Sequence, residues 1–113
     1  MDSYWQKSWS EPLDKTNQNR LFIRFKYDQE FEKIEEFAVA YLIRIKDKMH
    51  EIIRYDCSKN ESVNVHYFYY KKPVKIYLDK EKSFETLEEF ANSIRKNWGS
   101  YRIKYFDNKD IFI

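Results

Sequence analysis

The chain predicts an α+β domain: an antiparallel sheet of about five strands in meander order, with a long C-terminal amphipathic helix packed on one face. Three observations carry this. Successive segments between Leu21 and Asp79 alternate apolar and polar side chains and are separated by short charged links. From Leu87 onward the apolar residues switch to spacings of four and three. The 113 residues include 42% hydrophobic and 19% aromatic side chains against one Gly and two Pro, the composition of a packed globule with an aromatic core.

Residues 1–19 read as an N-terminal arm and residues 20–113 as the single α+β domain. Tyr4, Trp5 and Trp9 make the arm costly to leave in water, so it docks on the body or on a partner, and Asp14 to Asn19 form a loop. The first strand places Leu21, Ile23, Phe25 and Tyr27 on one face and Arg24 and Lys26 on the other. Ile34 to Ile45 is a longer strand, apolar on both faces, as a central strand is. Lys46 to Lys48 is short enough to make the next connection a hairpin, although without Gly or Asn its turn type stays open. Met49 to Cys57, Val63 to Tyr70 and Val74 to Asp79 complete the sheet. Leu87, Ala91, Ile94, Trp98, Tyr101 and Tyr105 then form the helix stripe, with Ser83 or Thr86 as the cap and Trp98 expected against the sheet. Gly99 inside this helix marks a close approach to the sheet or a local break.

Charge excludes little: twenty-one basic and nineteen acidic residues leave +2, so any case for nucleic acid rests on local clustering. A single cysteine, Cys57, fits a reducing compartment. The start lacks a basic-then-apolar leader, and no window holds the ~18 apolar residues of a membrane span. A cytoplasmic protein that does not cross a membrane is expected. Phosphate-binding glycine loops and serine-hydrolase elbows are missing, and His50, Cys57 and His66 match no familiar zinc spacing. Neither metal nor cofactor is expected. Cys57 as a nucleophile competes with a plainer role as a small apolar strand residue beside Ile53 and Tyr55.

The densest set of chemically capable side chains lies between Ile52 and Tyr70. Alternation puts His50, Ile52, Arg54 and Asp56 on one strand face, and Asn64, His66, Phe68 and Tyr70 share a face of the next strand. If those strands pair through Lys59–Ser62, His66 comes near Arg54 or Asp56. A guanidinium can clamp a phosphate, an imidazole can move a proton, and a carboxylate can orient that imidazole. This suffices for metal-independent RNA cleavage. An ordinary Arg54–Asp56 ion pair beside a polar histidine explains the same spacing. Arg24, Lys26, Arg44, Lys59, Lys71, Lys72 and Lys75, interleaved with Tyr67 to Tyr70, could hold a single strand by phosphate neutralisation and stacking, or could be solvated lysines and arginines over core aromatics.

Arg54-Tyr55-Asp56, Val65-His66-Tyr67-Phe68 and Asn97-Trp98 through Tyr101-Arg102 to Tyr105 resemble a group of small prokaryotic proteins similar to TumE-type toxin components of toxin–antitoxin pairs. The likeness covers about residues 20 to 106. It implies a toxin-like component with a cognate antitoxin protein as partner and RNA as target. Several such proteins carry a His-Gly and further histidines after the Arg-Tyr-Asp, where this chain has Cys57-Ser58-Lys59-Asn60. That departure leaves three readings open: Lys59 stands in for a histidine, the activity is lost, or those histidines are not catalytic. The leading expectation assigns Arg54 as phosphate clamp, His66 as acid or base, Asp56 as its orienter and Lys59 as accessory cation. The rival is a non-enzymatic module that binds a protein or nucleic acid through the sheet and the arm. Oligomeric state is left open.

Overall fold

A computed structural model describes residues 4–109. The first three residues of the expected arm and the last four of the expected domain lie outside that range. Six strands, β1 (Tyr4–Pro12), β2 (Asn19–Asp28), β3 (Lys33–Ile45), β4 (Lys48–Ser58), β5 (Glu61–Tyr67) and β6 (Val74–Tyr77), precede one helix, α1 (Phe84–Lys109). The strands form a single antiparallel sheet in the order β1-β2-β3-β4-β5-β6. The meander and the C-terminal helix stand as expected from the chain. The strand count is six because the aromatic arm docks as an edge strand, pairing from Tyr4↔Asp28 to Pro12↔Arg20.

Alternation sorts the sheet into two faces. Leu21, Ile23, Phe25, Phe37, Val39, Tyr41, Ile53, Tyr55, Val63 and Val65 are buried beneath α1, whose Leu87, Phe90, Ala91, Ile94 and Tyr105 meet them. Tyr55 stacks on Phe90 at 4.1 Å between centroids. Trp98 is only half-buried and stands edge-on to Tyr41 at 6.1 Å, because Ile94 and Phe90 take the deeper positions. Ser83 caps the helix: its Oγ accepts the Thr86 amide proton at 3.1 Å, while Glu89 pairs with Lys80 at 3.0 Å. Gly99 neither breaks the helix nor approaches the sheet, since a Cβ built there meets nothing within 4 Å.

The β3–β4 link is tighter than its residues suggest. Lys46 and Asp47 both have positive φ, 51° and 65°, between the paired residues Ile45 and Lys48. That is the I′-type geometry whose twist matches a two-residue hairpin, built here without glycine. Among the described residues no helix is long and apolar enough to cross a membrane.

Candidate functional site

The face of the sheet turned away from α1 carries the candidate residues. Two cross-strand rows define its centre. One runs Ser10, Phe22, Ala40, Arg54, His66, Lys75, and the next runs Ser8, Arg24, Ala38, Asp56, Asn64, Tyr77. Arg54 and His66 are thus direct partners across β4 and β5, and Asp56 is one step along β4 on the same face. The two-residue turn at Lys59 and Asn60 sets this register.

Arg54 is held from both sides. Its Nε donates to Asp56 Oδ2 at 2.6 Å and its Nη1 donates to Glu51 Oε2 at 2.7 Å. The guanidinium carbon also stands 5.4 Å from the Phe68 ring centroid, and its side chain is 30% exposed. Burial alone would lower the Arg54 pKa, but the bonds to Asp56 and Glu51 outweigh it and the group is held above its ordinary value. His66 Nε2 lies 3.5 Å from the same Asp56 Oδ2, with both side chains 18% exposed. The imidazole stacks parallel to Phe68, 5.7 Å between centroids. Desolvation is the main influence on His66 and lowers its pKa; Arg54 and Lys75 act in the same direction, and Asp56 opposes them. A depressed value leaves the imidazole neutral at pH 7, able to take a proton.

Around this centre lie Lys75 and Asn64, both named from the sequence, and Glu61 and Tyr77, which sequence spacing did not single out. Lys75, opposite His66, bonds Glu61 at 2.6 Å, and Tyr77 donates to the same carboxylate at 3.1 Å. These partners hold Glu61 below and Lys75 above their ordinary values. Asn64 is fully buried; its amide donates to the Asp56 and Ser62 carbonyls and to Glu61, while its Oδ1 accepts nothing. Asn64 therefore ties the backbone under Asp56 to the Glu61–Lys75 pair.

The structure separates two residues from the expected constellation. His50 does not share a face with Arg54. Tyr41 pairs with Ile53 and Leu42 with Glu51, so Ile52 is an unpaired bulge residue and alternation reverses beyond it. His50 turns to the helix, its Nδ1 3.5 Å from Tyr105 Oη, and Glu51 takes the place beside Arg54. Lys59, at the β4–β5 turn, lies 4.0 Å from Glu35 and lines a cavity of about 600 Å³ with Phe31, Lys33, Glu35 and Lys82. Its ion pair is with Glu35 and not with the Asp56 carboxylate that serves Arg54 and His66. Cys57 is buried on the helix face, and burial pushes its thiol up to about 11, which disfavours a thiolate nucleophile.

The proposed nucleic-acid residues fall into separate places. Arg24 and Lys26 lie on the open face of β2 and are matched by Glu36 at 3.5 Å and Glu35 at 3.6 Å. Arg44 lies near the other end of β3, beside a small cavity shared with Arg102 and Phe106. Lys71 and Lys72 sit exposed in the β5–β6 loop. Phe68 to Tyr70 leave the sheet as a turn, so the aromatic run is not one stacking ladder: Tyr69 is buried and stacks on Tyr101 at 6.0 Å, Tyr70 is exposed, and Phe68 faces Arg54 and His66.

A family model described as a domain of unknown function (DUF7718) matches residues 4–111, and the chain belongs to that family. No curated protein and no solved structure matches it.

Proposed function

We propose that this member of the DUF7718 family is a toxin-like component of a toxin–antitoxin pair that cleaves RNA without a metal ion on the open face of its sheet. The observation that carries the chemistry is the direct pairing of Arg54 with His66, both within reach of one Asp56 oxygen. Neutral His66 takes the proton of a ribose 2′-hydroxyl, and that oxygen forms a bond to the neighbouring phosphorus. The P–O5′ bond breaks, and the proton passes to the departing 5′-oxygen. Arg54 and Lys75 face the charge that accumulates on the phosphoryl oxygens. Asp56 orients the imidazole through Nε2, leaving Nδ1 for the substrate. The resemblance of Arg54-Tyr55-Asp56 and Val65-His66-Tyr67-Phe68 to TumE-type components supports the toxin half of the reading, with a cognate antitoxin as the partner.

A second reading rests on one observation: two of the three Arg54 nitrogens, Nε and Nη1, already donate to carboxylates, at 2.6 and 2.7 Å. A guanidinium whose charge is matched by two carboxylates fits a non-enzymatic face that binds a protein or nucleic acid. One experiment separates the two. Purified protein is incubated with single-stranded RNA in chelator, beside His66→Ala. The first reading expects cleavage that falls about 10²- to 10⁴-fold in the variant, and growth inhibition on induction that the same variant relieves. RNA left intact by folded wild-type protein sinks it in favour of the binding module.

A further inference from the structure

The two edges of the sheet are built differently. On β1, Lys7 stands on the helix side between Trp5 and Trp9, its ammonium 5.4 Å from the Trp9 ring centroid, and a charge on the apolar side of an edge discourages a further strand. β6 has no charge on that side. Val74 and Ile76 pair with Tyr67 and Val65, face the helix side, and are 38% and 45% exposed. Among the described residues α1 lies over β2, β3 and β4 and does not extend over β6. The apolar side of this edge is uncovered.

The outward backbone groups of β6 follow from its ladder. The Leu78 N–H donates to the Val63 carbonyl at 2.9 Å. In an antiparallel pair such bonds recur at every second residue, so Ile76 and Val74 also turn their N–H and C=O groups to β5, and those of Lys75 and Tyr77 point to the free edge. The side chains at these two positions lie on the open face, with Lys75 in the row of Arg54 and His66. A strand added here extends that row.

Charge selects the occupant. From Lys71 to Lys80 the edge carries Lys71, Lys72, Lys75 and Lys80 against Asp79. A second copy brings the same lysines: antiparallel pairing centred on Lys75 sets two ammonium groups face to face, centred on Ile76 it carries Lys72 toward Lys80, and centred on Tyr77 it carries Lys80 onto Val74. An acidic strand with alternate apolar residues meets none of these conflicts.

We infer that β6 accepts an extended segment of a partner protein as a seventh strand, with a carboxylate opposite Lys75 and an apolar side chain opposite Ile76. That carboxylate stands two strand spacings from His66, about 10 Å. There it competes with Glu61 and with RNA phosphate for the Lys75 ammonium. Occupying the edge thus disarms the open face without covering His66. The partner's identity as the antitoxin, and the loss of cleavage, rest on the toxin reading above; strand docking at β6 does not.

The test uses the full chain, isotopically labelled, with a capped peptide alternating glutamate and valine and a lysine–valine peptide of equal length as control. The glutamate peptide should bind about tenfold or more tightly than the lysine peptide, an advantage that shrinks as salt is raised. Hydrogen exchange of the Lys75 and Tyr77 amides should slow about tenfold or more at saturation. Methylating the glutamate amides of the peptide, which pair with β6, should abolish binding, while methylating the valine amides, which face away, should not. Ile76→Lys, at an exposed side chain off the open face, should weaken the peptide about tenfold with the urea midpoint near wild type; if that variant unfolds, the methylated peptides decide. Equal binding of the two peptides, unprotected Lys75 and Tyr77 amides, or binding that survives methylation of the glutamates overturns the seventh strand. Protection that rises with protein concentration alone makes the occupant a second copy and overturns the acidic partner. The protein encoded by the neighbouring gene, purified in complex with the chain, should protect the same two amides, and protection elsewhere removes the antitoxin from this edge. If the wild type cuts no RNA while the glutamate peptide still protects the edge, the ribonuclease reading falls and strand docking stands; if RNA is cut and the edge stays unprotected, strand docking falls and the ribonuclease reading stands.

Discussion

Replacing Arg54 by Ala removes two charge-assisted hydrogen bonds, 2.6 Å to Asp56 and 2.7 Å to Glu51, together with its position over Phe68. Such bonds contribute about 1.5–3 kcal/mol each when shielded from water. Here Glu51 is 35% exposed, so its bond falls toward the surface range of about 0–1 kcal/mol, while Asp56 at 18% exposed keeps more of its share. The expected loss is about 2 kcal/mol, out of roughly 5–15 kcal/mol for a domain of this kind. The variant should therefore fold, with a lower urea midpoint and an unchanged m-value. Its effect on His66 has a defined sign. Arg54 helps hold the imidazole pKa down and Asp56 works to raise it. Arg54→Ala should move the His66 titration midpoint up and Asp56→Asn should move it down, followed by the imidazole proton signals in NMR. Shifts of the same sign, or a loss above about 4 kcal/mol on removing Arg54, would refute the reasoning and make the row a structural ion-pair network.

Stability should depend on pH through His66: its folded pKa lies below the unfolded value of about 6.5, so the unfolded chain binds more protons as pH falls through that window. Stability present above pH 6.5 is then lost on acidification toward the folded pKa, and the loss should shrink in His66→Ala when urea melts at pH 7.5 and 5.5 are compared; equal losses in both proteins count against it. Gly99→Ala should stabilise by about 1 kcal/mol, because the new methyl meets nothing and the helix loses its most flexible residue. A melting temperature that stays level or drops rejects that account. Replacing Lys46-Asp47 by Asn-Gly should also stabilise, by about 1 kcal/mol or more, since both positions hold positive φ; a drop in melting temperature would mean that the turn is held by contacts of the Lys46 or Asp47 side chains.

Strands were legible where one face is buried and the other is wet. In β2, Leu21, Ile23 and Phe25 lie under the helix while Arg24 is exposed, and the chain alternates accordingly. β1 was harder, because an edge strand buries its inner face only partly: Trp5 and Trp9 reach Phe25 from the rim, but both are exposed and Lys7 lies between them. The aromatic run misled in the other direction. Phe68 to Tyr70 have the residue types of a strand, yet they leave the ladder as a turn in which Tyr69 packs on Tyr101 of the helix.

Bulges were the deeper obstacle, because each reverses the alternation from which faces are read. Two doublets mark them once the pairing is known. Ile52 and Ile53 are consecutive and both fully buried, and Glu35 and Glu36 are consecutive and pair with Lys26 and Arg24 of the same face. The first removes His50 from the Arg54 group and installs Glu51; the second delivers Glu35 to the cavity beside Lys59. Arg54 and His66 meet because the chain between them carries a two-residue turn and its pairing shift lies beyond Asp56, on the turn side. Slipping β5 by one residue at that turn would carry His66 under the helix and bring Val65 or Tyr67 out beside Arg54. The chemistry proposed for this face thus depends on strand register, which the short links of a meander fix only within the folded sheet.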